Sequence, residues 1–352
     1  MVDGFRVDTD MSEQRAPARR SRGTGRVRIE DVARAAEVSA QTVSRFLRHP
    51  DQVGPAASER IAAAISRVGY VPNLIAGSLA SNRSRVVAII VPTLANPVHA
   101  QPVEGLGDAL RADGYQVLVG TTDFSQEVEE ALVRAFVGRR VDGIVITGGR
   151  LSAASRTVLK AAAIPVVQLW ELPRIPFDMA VGNSNIDIGA CVARHFAERG
   201  YRRLAVIGHV QKSDTRSADR VTGFLAEAQR HGLPAPLVME VDRPMLIRDA
   251  SDLVAALRRE EVRAVFVTSA QLSVVLLLNA RSAGIAVPGE LAIAGLESDL
   301  STVVSPTLTA VRVPAYELGL QAGRLLLRRM AGEKVAQKRI DTGFEFNVRE
   351  ST

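Results

Sequence analysis

Two hydrophobic periodicities divide the chain. Up to about residue 72, apolar side chains recur at three- and four-residue steps, the spacing of one face of a helix. Ile29, Val32, Ala33 and Ala36 make one such stripe, and Val43, Phe46 and Leu47 make a second. Gln41, Ser44, Arg45 and Arg48 fall on the opposite side of the second helix, so one face can pack while the other touches a partner. Between the stripes, Glu37-Val38-Ser39 reads as a three-residue turn with Ser39 as the N-cap of the second helix. A third helix is expected over about Ala57 to Val68. After Pro72, Asn73 is a good N-cap for a short segment, Leu74 to Ala80, that is too short to hold a helix alone.

From Arg85 the pattern changes to short β-branched runs separated by helical stretches of ten to fifteen residues. Strands are expected at 86–92, 115–121, 141–148 and 164–170. After Asn183 the alternation restarts, with strands at 203–209, 236–241, 264–269 and 291–297 and helices near 187–199, 217–231, 247–259 and 271–283. A strand at 308–314, a helix to about Met330 and a strand at 344–350 complete the chain. Near-continuous apolar strands alternating with helices imply parallel sheets covered on both faces. The expected fold is therefore an N-terminal all-α helix-turn-helix head followed by an α/β body of two doubly wound parallel-sheet lobes. The C-terminal strand ends should face the cleft between the lobes, where open α/β sheets bind ligands.

Composition sharpens this picture at one point, the distribution of charge. The formal net charge is +6, but residues 1–85 carry 14 arginines against 9 carboxylates, while the remaining chain holds 30 basic and 29 acidic groups. A basic head on a near-neutral body is the electrostatic footprint of a nucleic-acid-binding module. Residues 1–27 lack apolar periodicity and are rich in Arg, Ser, Gly, Asp and Pro, so a disordered basic tail is expected there. No apolar run of signal-peptide length precedes the head, which fits a cytoplasmic protein acting at the nucleoid and gives no membrane role. Cys191 is the single cysteine, which excludes an internal disulfide framework and a thiolate metal cluster.

Catalytic readings find no support. The five histidines show no metal-ligand spacing, and no H-E-x-x-H or nucleophile-elbow pattern occurs. Gly105-Leu106-Gly107 falls inside an expected helix rather than at its start, so it is no phosphate loop. Neither an enzyme nor a catalytic cofactor is expected.

The run DVARAAEVSAQTVSRFL, then ERIAAAISRVGYVPN and AGSLA, resembles the head of the lactose-repressor (LacI/GalR) family of sugar-responsive transcription factors, and the resemblance continues from about Arg28 to the C-terminus. It implies a homodimeric operator-binding regulator, a repressor, whose affinity for double-stranded DNA is set by a small-molecule effector. It divides the chain into a tail (1–27), a helix-turn-helix domain (28–72), a hinge helix and linker (73–84) and an effector-binding and dimerisation body (85–352). Lobe one is expected at about 85–182 and 313–332, and lobe two at about 183–312 and 340–352. Three crossings between lobes are implied, near Asn183, near Arg312 and before Phe344, in the manner of periplasmic sugar-binding proteins. The absence of a leucine-heptad extension before Thr352 favours a dimer over a coiled-coil tetramer.

The family's positions transfer residue by residue. Ser39, Ala40 and Gln41 open the recognition helix, and Ser44 and Arg45 lie one turn on. Gln41 suits adenine and Arg45 guanine, while Thr42 and Arg48 suit phosphates. Asn73, Ala76 and Leu79 belong to the hinge, with Leu79 as a minor-groove wedge. Effector contacts are expected at Thr93, Asn96 and His99 after the first strand and at Gln168, Trp170 and Glu171 after the fourth. In the second lobe they are expected at Asn183, Arg216, Arg220, Ser269, Glu297 and Asp299. Arg220 lies in the R-x-x-G-F pattern that clamps the effector, and a bidentate arginine suits a carboxylate or phosphate.

Five positions depart from the family pattern. Arg28 replaces a threonine cap, Glu37 replaces a turn glycine, Ser269-Ala270 replaces an Asn-Asp pair, and Glu297 replaces an aspartate. Positive charge at Lys212, Arg216 and Arg220, together with the resemblance of ELPRIPFDMAVGNSN to gluconate-operon repressors, points to a sugar acid or its phosphate.

Overall fold

The computed structural model describes residues 27–71, 83–209, 215–242 and 249–352. The chain divides into two compact units, 1–77 and 78–352. The expected disordered tail and the hinge residues Asn73, Ala76 and Leu79 lie outside the described residues, as does Lys212.

Among the described residues of the first unit are the α-helices α1 (Ile29–Ala36), α2 (Ala40–Arg48) and α3 (Pro55–Val68). Val32, Ala33, Ala36, Val43, Ile61 and Ala64 form its core, so the two apolar stripes do face each other. Glu37 adopts the left-handed conformation, φ 55°, and Val38 N–H then closes the helix end on Ala33 O at 3.0 Å. A non-glycine residue held there costs about 1–2 kcal/mol. The Arg28 departure is met differently: Asp31 accepts the Arg28 amide at 2.9 Å and so supplies half of a capping box. Arg67 of α3 donates to Ala35 O at 2.7 Å, tying α3 to α1.

The second unit holds two six-stranded sheets. The first contains β1 (Val86–Val91), β2 (Gln116–Thr121), β3 (Gly143–Thr147), β4 (Val166–Glu171), β5 (Met179–Asn183) and β11 (Arg339–Asp341), in the order β11-β5-β4-β3-β1-β2, all parallel. The second contains β6 (Leu204–His209), β7 (Leu237–Val241), β8 (Ala264–Val267), β9 (Ala292–Leu296), β10 (Thr309–Arg312) and β12 (Glu345–Asn347), in the order β12-β10-β9-β8-β6-β7, with β12 antiparallel.

The helices of the first sheet are α4 (Pro97–Arg111), α5 (Gln126–Gly138), α6 (Ala153–Ala162) and, from the chain's return, α11 (Ala315–Met330). Those of the second are α7 (Asn185–Glu198), α8 (Thr215–Arg230), α9 (Ser251–Arg259) and α10 (Ala270–Ser282). Alternate side chains of each strand pack on opposite faces of the sheet. Val87, Ile89 and Val91 pack under α4 and α11, while Ala88 and Ile90 pack against Val133, Phe136 and Leu159 on the other face. In the second sheet, Ala205 and Ile207 meet Leu272, Leu276 and Leu277, and Leu204 and Val206 meet Phe196, Phe224 and Phe266.

Two strands go beyond the sequence pattern. β5 succeeds β4 in parallel after only residues 172–178, where a crossover of a dozen or more residues is usual. That return carries Pro173 and Pro176 and forms no helix, and Gln168 fastens it by accepting Phe177 N–H at 2.7 Å. β11 pairs with β5, so residues 340 and 341, expected in lobe two, belong to the first sheet. The third crossing therefore falls between Asp341 and Glu345.

In each lobe one helix pair is in direct backbone contact through glycines. A Cβ on Gly105 or Gly319 would strike Tyr316 O or Pro102 O across α4 and α11, and one on Gly189 or Gly223 would strike Arg220 O or Ile186 O across α7 and α8. Gly223→Ala is expected to destabilise the protein by about 3 kcal/mol, because backbone rather than a flexible side chain must move. Gly107→Ala, in open space on α4, should instead gain up to about 1 kcal/mol from helix propensity. Chemical denaturation of the two variants checks both signs.

Candidate functional site: a helix face and an inter-lobe cavity

The exposed face of α2 carries Gln41, Arg45 and Arg48. Ser39 caps the helix by accepting Thr42 N–H at 3.0 Å, and its hydroxyl also bonds the Thr42 hydroxyl at 2.8 Å. Arg48 donates to Ser44 Oγ at 2.6 Å, so this pair acts as one unit. Arg45 projects from the helix and makes no ion pair among the described residues. Ala40 is half-buried and packs on the core of the unit, which limits it to an apolar contact. The face thus presents a rigid array of one amide and two guanidinium groups on a short helix, of the size a DNA major groove admits.

In the second unit a cavity of about 1030 Å³ lies between the sheets. Its walls come from the C-terminal ends of strands in both lobes, including the points where strand order reverses, between β1 and β3 and between β6 and β8. Thr93, Asn96, His99 and Trp170 line it from the first lobe, and Arg216, Arg220, Ser269, Glu297 and Asp299 from the second.

Nine of the twelve expected effector residues are brought together there, and three are not. Gln168 is buried and spent on structure: its amide donates to Gly149 O at 2.7 Å and accepts from Phe177 N–H. Asn183 ends β5 opposite Glu171, in the first sheet rather than in lobe two, and is buried away from the cavity. Glu171 lies behind the cavity wall, where its Oε1 accepts Thr215 Oγ–H at 2.7 Å.

The cavity also takes residues from segments that the strand pattern does not single out. Asp123 and Phe124 come after β2, Ser217 and Thr268 lie beneath the arginines, and Tyr316 and Glu317 open α11 after the second crossing. The β2 loop could have been found as a strand end like the others. The α11 residues enter only because the chain has changed lobes immediately before them.

Three helices begin at this cavity. Asn96 caps α4 by accepting Val98 N–H at 3.2 Å, Ser269 caps α10 by accepting Leu272 N–H at 3.4 Å, and α11 opens after Pro314 with its first residues in the lining. Their N-termini place partial positive charge at one site. Arg216 and Arg220 stand one turn apart on α8, 8% and 7% exposed. Arg220 Nη1 donates to Thr268 O at 3.2 Å, and Arg216 lies 5.8 Å from the centre of the Trp170 ring.

Four carboxylates line the cavity, Asp123, Glu297, Asp299 and Glu317, and Glu297 is held in a close ion pair. Glu297 Oε2 accepts from Arg349 at 2.7 Å and from Asn347 at 2.9 Å, so the carboxylate expected to take ligand hydroxyls is already neutralised from behind. Burial pushes the nearby Asp219 carboxyl up, against the pull of Arg150 and Arg220.

The first-lobe wall is aromatic. His99 packs edge-on against Trp170 at 5.9 Å and against Phe124 at 6.4 Å. Trp170 is 3% exposed, its Nε1 has no acceptor among the described residues, and its backbone is left-handed at φ 75°. A bulky residue in that conformation is strained, and such strain persists where the surroundings dictate it, typically at binding sites. Among the described residues no group of His, Cys, Asp or Glu side chains forms a metal site, and no helix is long and apolar enough to cross a membrane.

A helix-turn-helix carrying guanidinium groups, joined in one chain to a two-lobed body closed around a small-molecule cavity, defines a ligand-responsive DNA-binding regulator. Comparison with known proteins agrees. Residues 28–73 match the family described as bacterial regulatory proteins, lacI family, and residues 193–352 match the periplasmic binding protein-like domain. The HTH-type transcriptional regulator GntR of Pseudomonas aeruginosa is 34% identical over 94% of this chain and 97% of its own length, and that of Escherichia coli K12 is 30% identical over 90% and 96%. A solved LacI-family transcriptional regulator from Silicibacter pomeroyi superposes with a TM-score of 0.84 at 29% identity, covering 92% of this chain and 99% of that one. The chain belongs to the lacI family of bacterial regulatory proteins. It is a DNA-binding transcriptional regulator and not an enzyme, and its two-lobed parallel-sheet body is the family fold.

Proposed function

We propose that the chain acts as a homodimeric repressor whose operator affinity is set by an anionic sugar derivative, a sugar acid or sugar phosphate, bound between the lobes. The observation that carries this reading is the buried Arg216–Arg220 pair on α8, in a cavity onto which the N-termini of α4, α10 and α11 open. Two guanidinium groups and three helix starts favour a carboxylate or phosphate at one end of the ligand. The aromatic wall of Trp170, His99 and Phe124 opposite suits the C–H face of a sugar chain, and Thr93, Asn96, Ser269 and Asp299 supply polar groups for hydroxyls. The relatives named GntR support the same ligand class through the resemblance to gluconate-operon repressors.

On the DNA side, Gln41 and Arg45 read base edges in the major groove, with Ala40 meeting at most a thymine methyl. Ser39, Thr42, Ser44 and Arg48 hold the backbone and the helix, and Asn73, Ala76 and Leu79 form the hinge in the minor groove. Effector and operator are linked: any factor by which one changes affinity for the other is returned in full.

A thermal-shift series against sugar acids, sugar phosphates, neutral sugars and purines tests the ligand class. A true effector at 100 times its Kd should stabilise the protein by about 2.7 kcal/mol. Stabilisation by neutral sugars or purines alone would reject the anionic effector and move attention to Asp299 and Trp170.

A further inference from the structure

The Arg216–Trp170 pair joins the two lobes across the cavity: Trp170 lies near the end of β4 in the first sheet, and Arg216 lies on α8 of the second lobe. Immediately beside it, and outside the cavity lining, Glu171 Oε1 accepts the Thr215 hydroxyl at 2.7 Å. The two contacts are consecutive in both segments, 170 with 216 and 171 with 215. Fixing one therefore sets the register of the other.

The Glu171 end of this contact is built rather than incidental. Gly182, on the neighbouring strand β5, brings its Cα so close that an added Cβ would lie 2.6 Å from the Glu171 amide nitrogen, and Gly149 packs against the Glu171 carboxylate in the same way. Gly182 thus lets β5 approach the Glu171 backbone, and Gly149 leaves room for its carboxylate in the pose that meets Thr215. The left-handed backbone of Trp170 is the geometric counterpart: it aims the indole into the cavity while the next residue points behind the wall.

We infer that Glu171 and Thr215 are positioning residues for effector specificity, forming a clasp between the lobes that seats Arg216 over the indole and at the anion end of the cavity. The inference rests on the anionic-effector reading for its ligand and on the geometry of β4 and α8 for the clasp. The hydrogen bond has a carboxylate acceptor and lies in a half-buried place, which makes it stronger than a neutral pair. Its loss frees α8 to shift relative to β4 and moves the Arg216 guanidinium from its place over the indole. Selectivity for an anion over its neutral analogue then falls, because that selectivity depends on where the guanidinium stands.

Trp170 is the single tryptophan of the chain, so its emission reports on this place alone. The experiment uses the full-length protein and compares wild type with Thr215→Val, Thr215→Ser and Glu171→Ala. In ligand-free protein, acrylamide quenching of Trp170 should rise about threefold in Thr215→Val and Glu171→Ala and stay at the wild-type value in Thr215→Ser, which keeps the hydroxyl. Titrated with D-gluconate, 6-phosphogluconate and D-glucose, Thr215→Val should bind the better anion about tenfold more weakly than wild type and lose a similar factor of preference over glucose. Combining Thr215→Val with Glu171→Ala should add little to either alone, as expected when both remove one interaction.

Wild-type quenching and anion preference in Thr215→Val would overturn the clasp, as would full additivity of the two substitutions. The two readings fail separately. If wild type binds neither anion, the effector class is wrong, while the ligand-free quenching of the same variants still decides the clasp.

Discussion

Replacing Arg220 by alanine is expected to abolish the response to effector while leaving operator binding intact. Arg220 is 7% exposed, stands on the cavity wall and donates to Thr268 O. Truncating one member of a buried, hydrogen-bonded charge pair costs about 2–5 kcal/mol, much of it from leaving the other charge unpaired. At about 1.4 kcal/mol per factor of ten, effector affinity should fall by roughly thirtyfold or more. Arg220→Lys should recover part of this loss, because charge returns without the planar fork. The backbone carbonyl of Arg220 touches Gly189, but that contact does not involve the side chain and is kept. Isothermal titration with a sugar acid, alongside fluorescence anisotropy on operator DNA, separates the two functions. A normal effector response in Arg220→Ala would show that the anion is held elsewhere, with Arg216 the next residue to test.

The second large effect is expected on the DNA side. Arg45→Ala should relax base preference at one position of each operator half-site by about 1–3 kcal/mol, while salt-sensitive binding to unrelated DNA persists. Arg45 differs from Arg48 in the structure: Arg48 is engaged with Ser44, whereas Arg45 extends from the middle of α2 with no ion pair among the described residues. A guanidinium that extends from the exposed face can reach a guanine edge, and one braced along its own helix is better placed to meet phosphate. Binding measured on a set of single-base operator variants discriminates the roles. Uniform weakening across all variants, with a shallower salt dependence, would make Arg45 a phosphate contact.

Much of this architecture is legible in the sequence because it is local. The stripes Ile29-Val32-Ala33-Ala36 and Val43-Phe46-Leu47 define two helices whatever they pack on, and Ser39 caps the second as its side chain dictates. Glu37 stands where the turn needs a left-handed residue, and it is left-handed there. The strand runs are legible for the same reason: VVAIIV and AVFV are buried on both sides, so their apolar content is continuous.

The misplaced residues share a different cause. Gln168 and Glu171 belong to a strand whose end faces the cavity, but Gln168 is taken up by Gly149 O and Phe177 N–H, and Glu171, after the left-handed Trp170, by Thr215. Asn183 reads as the start of lobe two because the helical pattern restarts after it. It belongs to β5, a strand hidden behind a segment with two prolines and no crossover helix. Glu297 has the chemistry of a ligand group, but Arg349, 52 residues further on, lies against it.

The sequence by itself determined the helix-turn-helix, the two βαβ series and the set of strand ends from which a binding cleft would be made, because each depends on periodicity within one short segment. Only the tertiary structure decided which of those strand ends share the cavity, which carboxylate is already neutralised, and which residues clasp one lobe to the other. Those outcomes depend on segments that meet after the chain has crossed between lobes three times, and no local pattern encodes the meeting of side chains that far apart.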